Sequence, residues 1–197
     1  MAHKKTDQRV RLTKQMLQST LLTLMRSKPI SGITVKELCA AAGVNRGTFY
    51  AHYQDIYALL EEIEEEIVGE FRATLSRHSL QAEPSARQSV VSIYTEIFEL
   101  IDRHADLCAI VLGNHRNNAF ASKLLELGKE KCVSEWMQMY PDAGRKRVEG
   151  FYAFVSSGCM GLLNYWLRTE PRLTPQQLGD EVERIVLTGI GCLEQEA

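Results

Sequence analysis

Residues 33–55 read ITVKELCAAAGVNRGTFYAHYQD. Thr34 followed three positions later by Glu37 is the spacing at which two residues at a helix start can cap each other, each side chain taking the other's backbone N–H. Val35, Leu38, Cys39 and Ala42 then fall on one helical face. Gly43 ends that helix in the left-handed conformation that other residues adopt only at a cost, and Asn45 can cap the next one. The second helix is predicted over Arg46–Tyr53. Phe49 and Tyr53, four apart, point inward, which leaves Asn45, Arg46, Thr48, Tyr50 and His52 facing out.

A helix, a short glycine-containing turn and a second helix form the layout that places the second helix in the DNA major groove. A glycine bend between helices also serves ordinary packing, so the side chains decide its use. Arg46 stands at the N-terminal end of the second helix, where base edges are read, and arginine is the usual bidentate partner of guanine. Thr48, Tyr50 and His52 carry hydroxyl and imidazole donors suited to phosphates. The basic segment with Lys4, Lys5, Arg9, Arg11 and Lys14 would add attraction independent of base sequence.

The charge distribution agrees. Residues 1–60 hold nine Lys/Arg against three Asp/Glu, about +6, within a chain of net charge −2, so the remainder sums to about −8. At 197 residues and 45% hydrophobic content the chain has enough material for a real core. Its five cysteines are odd in number and lack CxxC spacing, which argues against a disulfide framework or zinc ribbon and fits a reducing cytoplasm. No apolar stretch follows the first charged residues, so secretion is not expected. Residues 150–167, GFYAFVSSGCMGLLNYWL, are uncharged, but their Gly, Ser and Asn content reads as a helix of a core or subunit interface rather than a membrane span.

Helical spacing dominates throughout, so the fold class is all-α. Helices are predicted over about 6–28, from Thr34, over 46–53, from Ile56, and near 85–103, 105–113, 119–140, 144–169 and 174–195. The breaks are KPISG, QAEPS, GNHRNN, YPDAG and TEPRLTP. Val10, Leu17, Leu21 and Leu24 face inward from the first helix, and Ile56, Leu60, Ile63 and Ile67 from the fourth. The run EEIEEE is expected to face solvent. With no Gly/Ser-rich linker, the fourth helix is expected to join the two parts rigidly.

The stretch ITVKELCAAAGVNRGTFYAHYQDIYALL (33–60), within a similarity covering about residues 8–60, resembles the DNA-binding domain of the TetR (tetracycline-repressor-like, TetR/AcrR) family of bacterial transcriptional regulators. The resemblance implies that Thr34, Thr48, Tyr50 and His52 hold phosphates, that Arg46 lies at a base-reading position, and that Asn45 replaces a capping serine. Leu38, Ala42, Gly43, Val44, Phe49 and Tyr53 would be structural. One departure stands out: the family usually carries a phosphate-binding lysine where this chain has Ile56, and Gln54 is the substitute at hand.

The family's architecture implies a three-helix helix-turn-helix domain over 1–55 and a helical effector-binding and dimerisation domain over 56–197. Its function would be that of a ligand-responsive homodimeric repressor on a near-palindromic double-stranded DNA operator. The last two helices would build the dimer interface with Gly158, Gly161, Leu162, Trp166, Val182, Ile185, Val186 and Ile190. Phe71, Phe98, Trp136, Tyr140, Phe151 and Tyr152 are candidate walls of a pocket for an unidentified small-molecule effector.

No cofactor or metal is expected. His104 and Cys108, four apart, with His115 beyond them, lack a fourth ligand. No P-loop, GxSxG, HExxH or GxGxxG occurs, so an enzyme is not expected. The remaining alternative, a helix-turn-helix that now meets another protein, is supported by Ile56 alone and opposed by the intact Thr34, Arg46, Thr48, Tyr50 and His52.

Overall fold

A computed structural model describes residues 2–78, 86–112, 119–170 and 172–193, with side chains over 8–78, 93–110, 119–170 and 172–193. The described residues are helical and contain no strand. The elements are α1 (Ala2–Met25), α2 (Val35–Ala42), α3 (Arg46–Tyr50), α4 (Ile56–Arg77), α5 (Ala86–Arg103), α6 (Ala105–Leu112), α7 (Ala119–Met139), α8 (Arg145–Trp166) and α9 (Pro175–Ile190). The predicted breaks QAEPS and GNHRNN lie outside the described residues. The chain divides into two compact units, Met1–Glu66 and Ile67–Ala197, with the division inside α4.

In Met1–Glu66 the core is built from i, i+4 apolar positions. Leu17 and Leu21 of α1, Leu38, Cys39 and Ala42 of α2, Phe49 of α3, and Ile56, Leu59 and Ile63 of α4 are all buried. Val10, Leu24 and Leu60 are half-buried, so Leu59 takes the inward place expected of Leu60. α1 ends at Met25, and Pro29 precedes a 3-10 turn over Ile30–Gly32.

Thr34 caps α2, its hydroxyl accepting from the Glu37 N–H at 3.2 Å. Both Glu37 oxygens also take the Lys28 ammonium at 2.7 Å, and that hydrogen bond first, with a smaller contribution from the Thr34 backbone N–H, lowers the Glu37 pKa.

In Ile67–Ala197, α5 packs along α9 and α7 along α8. The stripe Leu178, Val182, Val186 and Ile190 buries one face of α9. Thr174 and Gln177 cap α9 reciprocally, with Pro175 in its first turn. A Cβ at Gly179 would stand 3.0 Å from the backbone N and Cα of Thr95, and closer still to its hydroxyl. Gly179→Val is therefore expected to destabilise this unit by about 1–3 kcal/mol through overpacking, read as a lower melting temperature. An unchanged melt would mean that the α5–α9 approach opens without cost.

Two Arg-His pairs tie α4 to α5 within this unit. Arg77 and His78 lie 2.7 and 3.0 Å from the Glu96 carboxylate. Arg103 and His104 lie 3.0 and 3.1 Å from that of Glu70.

Candidate nucleic-acid interface

The turn between α2 and α3 forms as its residues dictate. Gly43 has φ +65°, and its N–H and that of Val44 return to the carbonyls of Ala40 and Cys39. Asn45 is extended, and its side-chain oxygen accepts from the Gly47 N–H at 2.8 Å. α3 is shorter than predicted. It ends at Tyr50 because the N–H groups of both His52 and Tyr53 converge on the Phe49 carbonyl at 2.9 Å, a tight turn that sends the chain toward α4. His52 therefore sits in that turn, half-buried, rather than on the helix.

Phe49 is wholly buried and Tyr53 nearly so, their rings 5.6 Å apart. α3 also carries Arg46, Thr48 and Tyr50, all exposed, with exposed Asn45 just before it. Tyr50 is 58% exposed, a large exposure for an aromatic ring. Thr34, at the start of α2, is exposed as well. Five of the six candidate DNA-binding side chains are thus open to a partner, and one is half open. Ile56 is buried in the core, so its position offers nothing to a phosphate, while Gln54 is exposed.

Two sequence expectations change here. Lys14 is not a free member of a basic arm: its ammonium lies 2.7 Å from Glu62 and 5.4 Å from the centre of the Tyr53 ring. The EEIEEE run is not uniformly solvated either. Glu62 accepts from Lys14 and from the Tyr53 hydroxyl at 2.9 Å, and Gln18 reaches Glu62 and Glu66 at 3.5 and 3.3 Å. Burial first, and Glu62 second, hold the Tyr53 phenol well above its ordinary pKa, so its hydroxyl keeps the proton that it donates. The side chains of Lys4 and Lys5 lie outside the described residues.

The pocket candidates in Ile67–Ala197 include two aromatic groupings. Trp136 stacks with Phe151 and Tyr152 at 5.1 and 6.3 Å, and the Tyr152 hydroxyl donates to the Leu125 carbonyl at 2.6 Å. Phe98 pairs instead with Trp166 at 6.0 Å. Phe71 is buried and Tyr140 half-buried. Three further residues stand out. Tyr94, Cys132 and Cys159 keep some accessible surface, yet burial raises the Tyr94 phenol well above its ordinary pKa and pushes the two thiols up to about 12 and about 11. Helical periodicity does not single them out, because it separates inner from outer faces and does not rank residues within a face.

The interface candidates also divide. Trp166, Val182, Val186 and Ile190 are buried within the single chain and belong to its own core. Trp166 donates its indole N–H to the Leu173 carbonyl at 2.7 Å, with the Arg172 guanidinium 5.4 Å from its ring. Gly158, Gly161 and Ile185 are exposed and Leu162 is half-buried. On the same face of α8 as the two glycines stand Phe154, 73% exposed, and Tyr165, 66% exposed. They were legible only as members of an apolar helix.

Among the described residues no group of three His, Cys, Asp or Glu side chains could hold a metal. His104 is engaged by Glu70, and burial pushes the Cys108 thiol up to about 12. His115 lies outside the described residues. No helix among them is long and apolar enough to cross a membrane.

Residues 19–63 match the family model described as bacterial regulatory proteins, tetR family, and residues 88–188, about half of the chain, match that of a transcriptional regulator C-terminal region. An uncharacterised HTH-type transcriptional regulator of Bacillus subtilis, YxbF, is 33% identical over 51 residues, 26% of this chain. That match spans only 13% of the relative's own length. Among solved structures, a transcriptional regulator from Aquifex aeolicus superposes with a TM-score of 0.70 at 16% identity, covering 89% of this chain and 98% of that one. FadR of Thermus thermophilus, a repressor solved with lauroyl-CoA, superposes with a TM-score of 0.56 at 18% identity, covering 93% and 97%. At such identities the likeness is one of fold.

Proposed function

The chain belongs to the TetR family of bacterial transcriptional regulators, and from that premise we propose that it is a homodimeric, ligand-responsive repressor of a near-palindromic operator. It is a DNA-binding regulator with a helix-turn-helix, not an enzyme. The observation that carries the finer reading is the division of labour on α3: one buried aromatic anchors a helix whose remaining large side chains, Arg46 and Tyr50, face outward. A core needs none of those groups, whereas a groove-reading helix needs both a base reader and phosphate donors.

Residues 1–55 then carry the DNA contacts of Thr34, Asn45, Arg46, Thr48, Tyr50 and His52, and residues 56–197 bind effector and partner subunit. The aromatic cluster of Trp136, Phe151 and Tyr152, with Tyr94, Cys132 and Cys159, supports a small-molecule site. The exposed face of Phe154, Gly158, Gly161 and Tyr165, with Ile185 of α9, supports the contact with a second copy. α4 begins beside the DNA-reading turn and continues into the second unit. An effector that moves it would alter the spacing of the two recognition helices, which must enter successive major grooves about 34–36 Å apart. Coupling of about 1–3 kcal/mol suffices for such control.

The test is fluorescence anisotropy against DNA from upstream of the protein's own gene, beside a shuffled fragment, over a salt series. Tight binding to the native fragment alone, weakening steeply with salt, is the expected result; equal weak binding to both counts against a reader of that site. Arg46→Ala is expected to relax base preference at one position per half-site at a cost of about 1–3 kcal/mol. Tyr50→Phe should weaken all sequences alike. Unchanged base preferences in Arg46→Ala would remove Arg46 from the reading role.

A further inference from the structure

We propose that Glu62 is a positioning residue for DNA recognition: one carboxylate of α4 holds the end of the recognition helix through the Tyr53 hydroxyl and joins it to α1 through Lys14. The inference rests on the reading of α3 as the DNA-contacting helix, and it assigns to α4 a second task besides packing.

The geometry is that of a three-way junction. One Glu62 oxygen accepts from the Tyr53 hydroxyl at 2.9 Å and lies 3.5 Å from the Gln18 amide nitrogen. The other accepts from the Lys14 ammonium at 2.7 Å. Lys14 also lies over the Tyr53 ring, 5.4 Å from its centre, so all three groups touch one another. Glu62 is about a third exposed, which leaves its bonds partly sheltered from water.

α3 has few other moorings. It spans five residues, and Phe49 is the buried residue within it. A rotation about the Phe49 ring would re-aim Arg46 and Tyr50 while keeping that ring buried. Tyr53, three residues past the helix end, resists this rotation because its ring packs on Phe49 and its hydroxyl is fixed to α4. Recognition of base edges depends on the aim of a helix to within an ångström, as other preorganised sites do. A carboxylate is suited to the task because it takes a hydroxyl on one oxygen and an ammonium on the other, so that the two bonds oppose each other and fix the group between them.

The test uses the full chain and four variants: Glu62→Ala, Glu62→Gln, Tyr53→Phe, and the Glu62→Ala/Tyr53→Phe double. Gln keeps an acceptor for the Tyr53 hydroxyl and loses the charge on Lys14; Ala loses both. Two readouts are taken. One is hydrogen exchange of the Phe49, Ala51, His52 and Tyr53 amides in the free protein. The other is the ratio of affinities for the upstream fragment and its shuffled control. Tyr53→Phe and Glu62→Ala are each expected to speed exchange at those amides and to lower the affinity ratio by about tenfold. The double should be no worse than Glu62→Ala, and Glu62→Gln, which keeps the Tyr53 bond but not the charge on Lys14, should recover part of the loss. That recovery separates positioning through Tyr53 from general weakening of the unit.

Additive losses in the double, a Tyr53→Phe protein that behaves as wild type, or faster exchange spread equally over α2 and α3 would each overturn the assignment. The exchange readout needs no DNA. A wild-type protein without preference for its upstream fragment would therefore count against that operator alone, while exchange still decides the role of Glu62.

Discussion

On the proposed homodimer, Phe154→Glu is expected to leave the protein monomeric and to lower its affinity for a two-half-site DNA by roughly 100-fold or more, since linked half-site binding gains about that much from effective concentration. Phe154 is 73% exposed and Tyr165 66%, and with Gly158 and Gly161 they follow the helical spacing of one face of α8. Large aromatics left open beside small residues mark a surface that awaits cover. A Cβ added at Gly158 or Gly161 would meet nothing within 4 Å among the described residues beyond its own helix, which leaves room for a second helix. In the isolated chain a glutamate at so exposed a position costs no more than about 0.5 kcal/mol. Inside an apolar contact between two copies, the same carboxylate would be buried without a partner. Light scattering gives the mass and anisotropy the affinity, with thermal melting as control for folding. A Phe154→Glu protein that stayed dimeric would place the interface on another face.

Phe49→Ala is expected to destabilise Met1–Glu66 by about 3–5 kcal/mol and so to abolish specific DNA binding. Phe49 is 0% exposed and meets the rings of Tyr50 and Tyr53 at 5.4 and 5.6 Å. A unit of this size has little stability to spare, and a loss of that magnitude approaches the whole of it. The second unit, which has its own buried core, should keep its fold and any dimer contact. Differential hydrogen exchange reads this directly: amides of α2 and α3 lose protection, while those of α7 and α8 keep it. Full protection in α3 together with wild-type DNA affinity would show that the recognition helix does not depend on this anchor.

The local architecture was legible because its causes lie within a few residues of one another. Gly43 takes the left-handed conformation, Asn45 caps α3, Thr34 caps α2, and Phe49 and Tyr53 turn inward. Each follows from a conformational or hydrogen-bonding preference acting over at most one or two turns. The expectations that changed depended on distant partners. Glu37 was matched to the Thr34 backbone alone but also takes Lys28, nine residues away. The acidic run on α4 looked solvated, yet Glu62 meets Lys14, 48 residues away in sequence.

The sequence by itself determined that the chain is helical, where its DNA-reading turn lies, and which side chains that turn leaves outward, because steric and capping preferences there are strong and local. Tertiary structure alone decided what covers each apolar face and what neutralises each charge. Trp166, Val182, Val186 and Ile190 look from sequence like Ile185, yet those four are covered by the chain's own helices and Ile185 is 56% exposed. The pairing of Glu70 and Glu96 with two Arg-His pairs was equally invisible. The reason is physical: apolar burial and ion pairing are satisfied by any complementary surface within reach, and only the packed fold brings one surface there rather than another.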